Sequence, residues 1–343
     1  MAQQIVSYAQ RYEDMHLLRC FGAQASGFYI DIGAGHPVYD NVSFAFYLRC
    51  WRGVTVEPNP WLAQLSDAVR PRDTRIAALV GAAQGEATYY LVEDFHGLST
   101  TVESHAQAAQ SQFGKRSQTV TMPVTTLSAL CEQHAPGEID FLKVDVEGAE
   151  RAVIEGADWQ RFRPKIIVLE ALAPVTLAPA WESWEPLILR HGYRFAFFDS
   201  LNRYYTADEC SEIALRLSDA SDSFPGVTPF RDFKPALDDP SHPDHGLARL
   251  LDGADMVRLP LLSPDETAGR LTAGVDPATL EQPATPEDLA AVHHGLFGRL
   301  PSPSWCAELA LPPNASMRDL YRRAVSTEAF RAACGRISAS YAW

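Results

Sequence analysis

The stretch Phe28-Tyr29-Ile30-Asp31-Ile32-Gly33-Ala34-Gly35 constrains this chain more than any other. An apolar run delivers an acid and then a Gly-x-Gly turn, which reads as a buried strand entering a loop where a ligand can approach the backbone closely. A dinucleotide fingerprint needs a third glycine, and Val38 stands in its place. A second apolar run, Gly53-Val54-Thr55-Val56-Glu57, also ends in an acid. A carboxylate at the end of a second strand can accept both hydroxyl protons of a ribose, as in nucleoside-binding α/β folds. Asp31 and Glu57 thus frame a nucleoside-type site.

The rhythm around these runs is that of an α/β domain: apolar strand-like segments alternate with longer polar or helical ones. Expected strands are Phe28–Gly33, Gly53–Glu57, Asp73–Val80, Ala87–Val92, Asp140–Val146, Lys165–Ala171, Tyr193–Asp199 and Arg203–Ala207. FLKVDV and KIIVLEA are mostly apolar, as strands covered on both faces require. A helix is expected over Trp181–Arg190. The last two strands are separated by Ser200-Leu201-Asn202 and read as a hairpin, which gives the sheet an antiparallel end. Residues 1–26 read as an N-terminal helical lid, 27–210 as the α/β domain and 211–285 as a Pro/Asp-rich linker or loop region. Residues 286–343 read as a small helical appendage that could serve docking or homo-oligomerisation. Its helix starts are marked by Thr285 with Asp288, Ser316 with Asp319, and Ser326 before Glu328.

Charge and composition exclude several classes. A formal net charge of -14 argues against non-specific grip on nucleic acid phosphates. No apolar run reaches the ~20 residues of a membrane span, and the first residues lack a signal peptide's apolar core, so a cytoplasmic location is expected. Cys20, Cys50, Cys131, Cys210, Cys306 and Cys334 form no CxxC pair and read as reduced thiols.

The glycine turn also fits the D-x-G-x-G pattern of S-adenosylmethionine (SAM)-dependent methyltransferases, where no pyrophosphate needs a third glycine. More specifically, the chain resembles the FkbM-type methyltransferases from about Ser7 to Tyr205. The resemblance rests on Ser7-Tyr8-Ala9-Gln10 with Glu13-Asp14, FYIDIGAGHPVYDNVS, WRGVTVEPNP, HGLSTT, FLKVDVEGAE and LNRYY, in that order. Gly35-His36 departs from the Asn-Asp or Asn-x that members often carry there. The resemblance implies a seven-stranded, Rossmann-like class I methyltransferase sheet and methyl transfer from SAM to a hydroxyl, often on a saccharide or glycosylated small molecule. It places Asp31, Gly33, Ala34, Gly35, Glu57, Pro58 and Asn59 at the cofactor, and makes the helix bearing Gln10, Glu13 and Asp14 a lid over it.

O-methylation requires the acceptor oxygen to be aligned and relieved of its proton, at the carboxyl ends of the parallel strands. Lys143, Asp145 and Glu147 alternate along FLKVDVEG and are expected on one side of the strand. They form either a structural Lys–carboxylate pair or a catalytic group in which Lys143 tunes the two acids. Two carboxylates also suit a hard cation such as Mg²⁺, without establishing one. His36 is a second candidate base, or a histidine bonded to loop backbone or cofactor. Glu170, Asn202, Arg203 and Tyr204 are candidate acceptor-binding residues, and Ser99, Thr100 and Thr101 candidate donors. His242 and His245 have ligand-like spacing but no further clustered ligands. An NAD-dependent sugar oxidoreductase or epimerase is the alternative enzyme, and a degenerate SAM-binding module acting through its helical tail the non-enzymatic one.

Overall fold

The computed structural model describes residues 4–92, 99–114, 116–173, 176–218 and 224–341. Residues 96–98 of the HGLSTT block and 219–223 of the expected linker lie outside them. The chain divides into two compact units: residues 1–36, 40–64 and 72–229 in one, and 37–39, 65–71 and 230–343 in the other.

The first unit is built on a seven-stranded sheet. Its strands are β1 (Phe28–Ile32), β2 (Arg52–Val56), β3 (Thr74–Ile76), β4 (Phe141–Val144), β5 (Ile166–Glu170), β6 (Tyr193–Phe198) and β7 (Asn202–Ala207). The order is β6-β7-β5-β4-β1-β2-β3. β3, β2, β1, β4 and β5 run parallel, while β7 is antiparallel to both β5 and β6. Seven strands are what the resemblance implied, and the antiparallel hairpin at the end is the one read from the last two apolar runs; of the eight expected strands, Ala87–Val92 lies outside this sheet. The apolar strands are central because helices cover both faces. Ile30, Ile32, Val54, Leu142, Val144, Ile167 and Leu169 fill one side. Tyr29, Phe141, Ile166, Val168 and Tyr204 meet Leu17, Phe46 and Trp51 on the other.

Two of the expected elements need correction, and one strand is new. The run Asp73–Val80 is not one strand: Thr74–Ile76 is β3, whereas Leu79–Val80 joins a separate three-stranded sheet with Gly85–Val92 and Ser117–Thr125. Ser117–Thr125 lies outside the expected strands, although Val120, Met122 and Val124 alternate, because internal Pro123 argues against a strand. The expected helix at 181–190 is a 3₁₀ turn, Trp181–Ser183, followed by the α-helix Glu185–Leu189.

The N-terminal segment is not helical throughout. Ile5–Ser7 pairs in parallel with Val227–Pro229, and the helix Glu13–Phe21 buries Leu17, Cys20 and Phe21 in the core. An element whose Leu17 is fully covered forms part of the foundation, and lifting it would expose that apolar face. Asp14 fixes its start by accepting from Ser7 Oγ (2.6 Å), Tyr8 N–H (2.7 Å) and Met15 N–H (2.8 Å).

Nor is 211–285 a linker. It carries the helices Ser211–Ser218, His245–Leu250, Pro264–Leu271 and Pro277–Leu280. The C-terminal part of the second unit therefore begins at Phe230, and its core joins Leu247, Leu251 and Leu259 to Leu296, Trp305, Leu320, Phe330 and Ile337. Proline at the first turns, which suggested loop, is compatible with helix starts there. Thr285 with Asp288 and Ser316 with Asp319 form reciprocal capping boxes as read from the sequence, while the last helix is capped by Thr327 rather than Ser326. Asp244 takes two hydrogen bonds of 2.7 Å from Arg336, both side chains largely buried. Asp244→Ala is expected to cost about 3 kcal/mol by removing both charge-assisted hydrogen bonds to the largely buried guanidinium, readable as a shift in the urea midpoint at unchanged slope. Among the described residues, no helix is long and apolar enough to cross a membrane.

Candidate active site

The parallel strands bring their carboxyl ends together, and side-chain alternation decides which residues share a face. Asp31 is in register with Thr55 on β2 and Lys143 on β4. One step further along, the same face presents Gly33, Glu57 and Asp145 at the strand ends. Glu170 ends β5 on that face and is in register with Asn202 of β7.

At β1 the backbone turns left-handed, with φ of 74° at Gly33 and 60° at Gly35. The two glycines serve different purposes. A Cβ at Gly33 would lie 1.7 Å from the Asp145 carbonyl oxygen, so this glycine lets the loops after β1 and β4 touch. A Cβ at Gly35 would meet nothing within 4 Å, leaving open space in front of the turn. Gly33 N–H and Ala34 N–H both donate to Val56 O, at 2.9 and 3.1 Å, which ties the turn to β2. Asn41 Nδ2 donates to Ala34 O (2.9 Å) and Ser43 Oγ to Asp31 Oδ2, so the loop is braced from behind.

Glu57 faces this turn. Its Oε2 accepts from Gly35 N–H and its Oε1 from Asn59 N–H, both at 2.8 Å. Burial nevertheless pushes its carboxyl up to about 7, because these two bonds only partly offset lost hydration. Asn59 is also occupied in capping the next helix, its Oδ1 accepting from Trp61 N–H at 2.9 Å. Pro58 lies buried between them. His36 follows Gly35 and is 6% exposed.

Asp145, Glu147 and Glu170 gather with one oxygen from each within 4.8 Å of the others. The alternation expected through Glu147 fails, since β4 ends at Val144 and Glu147 reaches the cluster through a left-handed backbone, φ 53°. That conformation is uncommon for a residue with a side chain. It is held from outside: Thr100 Oγ1 donates to Glu147 O at 2.9 Å, and His105 Nδ1 lies 3.2 Å from the same carbonyl. Thr100 is thus a brace for the loop, and Ser99 Oγ accepts from Val92 N–H at 3.0 Å. Burial, then the Asp145 charge, pushes the Glu147 and Glu170 carboxyls well above the usual range. Glu170 Oε2 has no hydrogen-bond partner among the described residues.

Lys143 is 4% exposed, and its Nζ donates to Asp145 Oδ2 (3.1 Å) and Asn202 Oδ1 (2.9 Å). Burial opposes its charge, but Asp145, Glu13 and Glu170 outweigh burial, so the ammonium is retained above its ordinary range. Asn202 therefore belongs to the cluster. Arg203 does not: it pairs with Leu169, points to the opposite face, and holds Glu185 (2.6 Å) and Tyr205 OH (2.9 Å). Tyr204 is on the site's face but fully buried, its hydroxyl donated to Asp199 Oδ2 at 2.8 Å. Neither is placed to meet an acceptor. Glu13, Asn41, Ser43, Thr100 and His105 are the supporting residues whose tasks sequence reading missed. All but His105 fall within the quoted motif blocks, which carried their presence but not their partners.

Residues 31–195, spanning the glycine turn and the acidic cluster, match the family model described as the methyltransferase FkbM domain. A TehB-like SAM-dependent methyltransferase from Corynebacterium glutamicum is similar at a TM-score of 0.31 and 11% identity, over 56% of this chain and 87% of that chain. Comparison with curated proteins finds no match. The seven-stranded sheet and its glycine turn thus accompany a segment, residues 31–195, that is similar to the methyltransferase FkbM domain over just under half of the chain.

Proposed function

We propose that the chain transfers a methyl group from SAM to a hydroxyl of a saccharide or glycosylated small molecule. The observation that carries the reading is the contact of the two loops: Gly33 seats the glycine turn on the backbone of Asp145, so the cofactor loop and the acidic cluster form one site. The residues suit such a cofactor. Glu57 turns a backbone-braced carboxylate toward the turn, fit to accept two ribose hydroxyls, and the space before Gly35 admits a ligand against the backbone. Asp31, Gly33, Ala34, Gly35 and Glu57 would hold the cofactor, with Pro58 and Asn59 shaping the Glu57 turn. When bound, SAM supplies an electrophilic methyl group on a sulfonium.

The acceptor oxygen must then lose a proton as it attacks in line. Asp145 is the candidate base. Its side chain is 31% exposed, whereas that of Lys143, which holds one of its oxygens, is 5% exposed. Glu147 and Glu170, held toward the protonated form, are better fitted to orient the acceptor. The cluster presents three carboxyl groups and one ammonium, which suits a neutral, hydroxyl-rich acceptor and disfavours an anionic one. The three ligand oxygens also suit a divalent cation such as Mg²⁺, and that second reading makes turnover metal-dependent.

Calorimetric titration with S-adenosylhomocysteine, with and without Mg²⁺, tests the reading. Glu57→Ala is expected to weaken binding by about 100-fold, the loss of two charge-assisted hydrogen bonds. Because burial keeps the Glu57 carboxyl near 7 and the ribose donates to its ionised form, affinity is expected to fall as pH drops below 7, by up to about tenfold per unit. Glu57→Gln removes that slope. A protein that ignores the cofactor and binds NAD instead sinks the proposal. Screening saccharides with and without EDTA then separates direct base catalysis from metal assistance.

A further inference from the structure

Lys143 is a long, flexible side chain buried at the centre of the site, and something must fix where its charge sits. Asp145 supplies one contact and Asn202 the other. Asn202 is fully buried, and its amide is oriented without ambiguity. Nδ2 donates to Glu13 Oε1 (2.8 Å) and Asp199 Oδ2 (3.2 Å), both carboxylate oxygens, while Oδ1 faces the lysine donor. A flipped amide would set N–H against ammonium and oxygen against two carboxylates.

The holders are held in turn. Glu13 is 2% exposed, at the start of the Glu13–Phe21 helix, and its other oxygen accepts from Arg11 N–H. Asp199 Oδ1 accepts from Leu201 N–H (2.9 Å) and Asn202 N–H (2.6 Å), locking the β6–β7 turn. Glu13 and Asn202 are 189 residues apart in the chain, and both lie outside the 31–195 segment that matches the family model.

We propose that Glu13 and Asn202 are positioning residues for methyl transfer: Glu13 orients the Asn202 amide, and the amide holds the Lys143 ammonium on Asp145. Their catalytic part rests on the reading above, and their hold on Lys143 does not. Lys143 leaves Asp145 with one oxygen committed to the ammonium, so the direction of the remaining oxygen depends on where Nζ is kept. A base displaced by even ~1 Å costs on the order of 10²-fold in rate.

The chain has four lysines, Lys115, Lys143, Lys165 and Lys234, so ¹⁵N-lysine labelling of the full chain gives a readable ammonium spectrum without any acceptor. A slowly exchanging ammonium signal, absent in Lys143→Met, is expected in the wild type. Glu13→Gln keeps an acceptor oxygen and should retain the signal. Glu13→Leu and Asn202→Leu should lose or move it, with a lowered melting temperature, while the S-adenosylhomocysteine affinity of the folded protein stays close to wild type. Where Asn202→Leu fails to fold, Asn202→Ser, polar but too short to bridge both partners, carries the test. With a saccharide acceptor, the same variants should lower kcat about 10–100-fold at unchanged KM for SAM, with Glu13→Gln rescuing. An unmoved signal in the leucine variants, or Glu13→Gln behaving like Glu13→Leu, overturns the proposal. A wild type that shows the protected signal but binds no S-adenosylhomocysteine overturns the methyltransferase reading and leaves the positioning of Lys143 standing.

Discussion

Asp145→Asn is expected to lower kcat for methyl transfer by about 10²–10⁴-fold, the range that a positioned general base contributes. The substitution keeps the size of the side chain and an oxygen for Lys143 Nζ, which now sits 3.1 Å from Asp145 Oδ2. Affinity for S-adenosylhomocysteine should therefore stay within about threefold of wild type, because the role proposed for the lost group is to take a proton and not to grip the cofactor. Stopped assays at several pH values check both halves. An Asp145→Asn protein that keeps its rate moves the base to His36, the residue after Gly35, and His36→Asn then becomes the deciding variant.

Gly33→Ala is expected to damage fold and site together. Its Cβ would fall 1.7 Å from the Asp145 carbonyl oxygen, a backbone atom that cannot swing away, and φ of 74° is strained for alanine besides. A loss of about 3 kcal/mol or more in unfolding free energy should follow, together with loss of cofactor binding. Gly35→Ala is the control. It faces the same dihedral penalty, φ 60°, without a clash, so it should cost only ~1–2 kcal/mol. Chemical unfolding of the pair separates steric conflict from backbone strain.

How far these residues were readable depends on whether their partners are local. The strands with buried apolar runs, such as FLKV and IIVLE, announce themselves, and so do Asp31, Glu57, Asp145 and Glu170, because each stands within or at the end of an apolar run. Strand alternation carries as far as Asp145 and then misleads. Glu147 arrives in the cluster through a left-handed turn, which no periodicity foretells and which depends on Thr100 and His105 from elsewhere in the chain. Arg203 and Tyr204 show the converse. They sit in a motif block beside Asn202, yet one points to the far face and the other is buried against Asp199. The region 211–285 was misread because proline and aspartate were weighed as loop formers. Ser263-Pro264-Asp265-Glu266 is a capping box with proline at the first turn, a helix start visible in the sequence to anyone giving position more weight than composition.

The second unit draws Pro37–Tyr39 and Leu65–Pro71 from within the stretch that matches the family model, and adds them to Phe230–Trp343. Its last helix passes so near to Val69 and Val38 that a Cβ at Gly335 would come within 2.6 Å of Val69. The backbone thus changes allegiance at 36/37, 39/40, 64/65, 71/72 and 229/230. A stop codon ahead of Phe230 would not release a finished enzyme. It would strand two fragments whose valines, fully covered in the intact chain, had lost their cover. Cassette exchange at that junction fails for the same reason, so a gene encoding this protein can be shortened or shuffled there only by rewriting its first seventy codons as well.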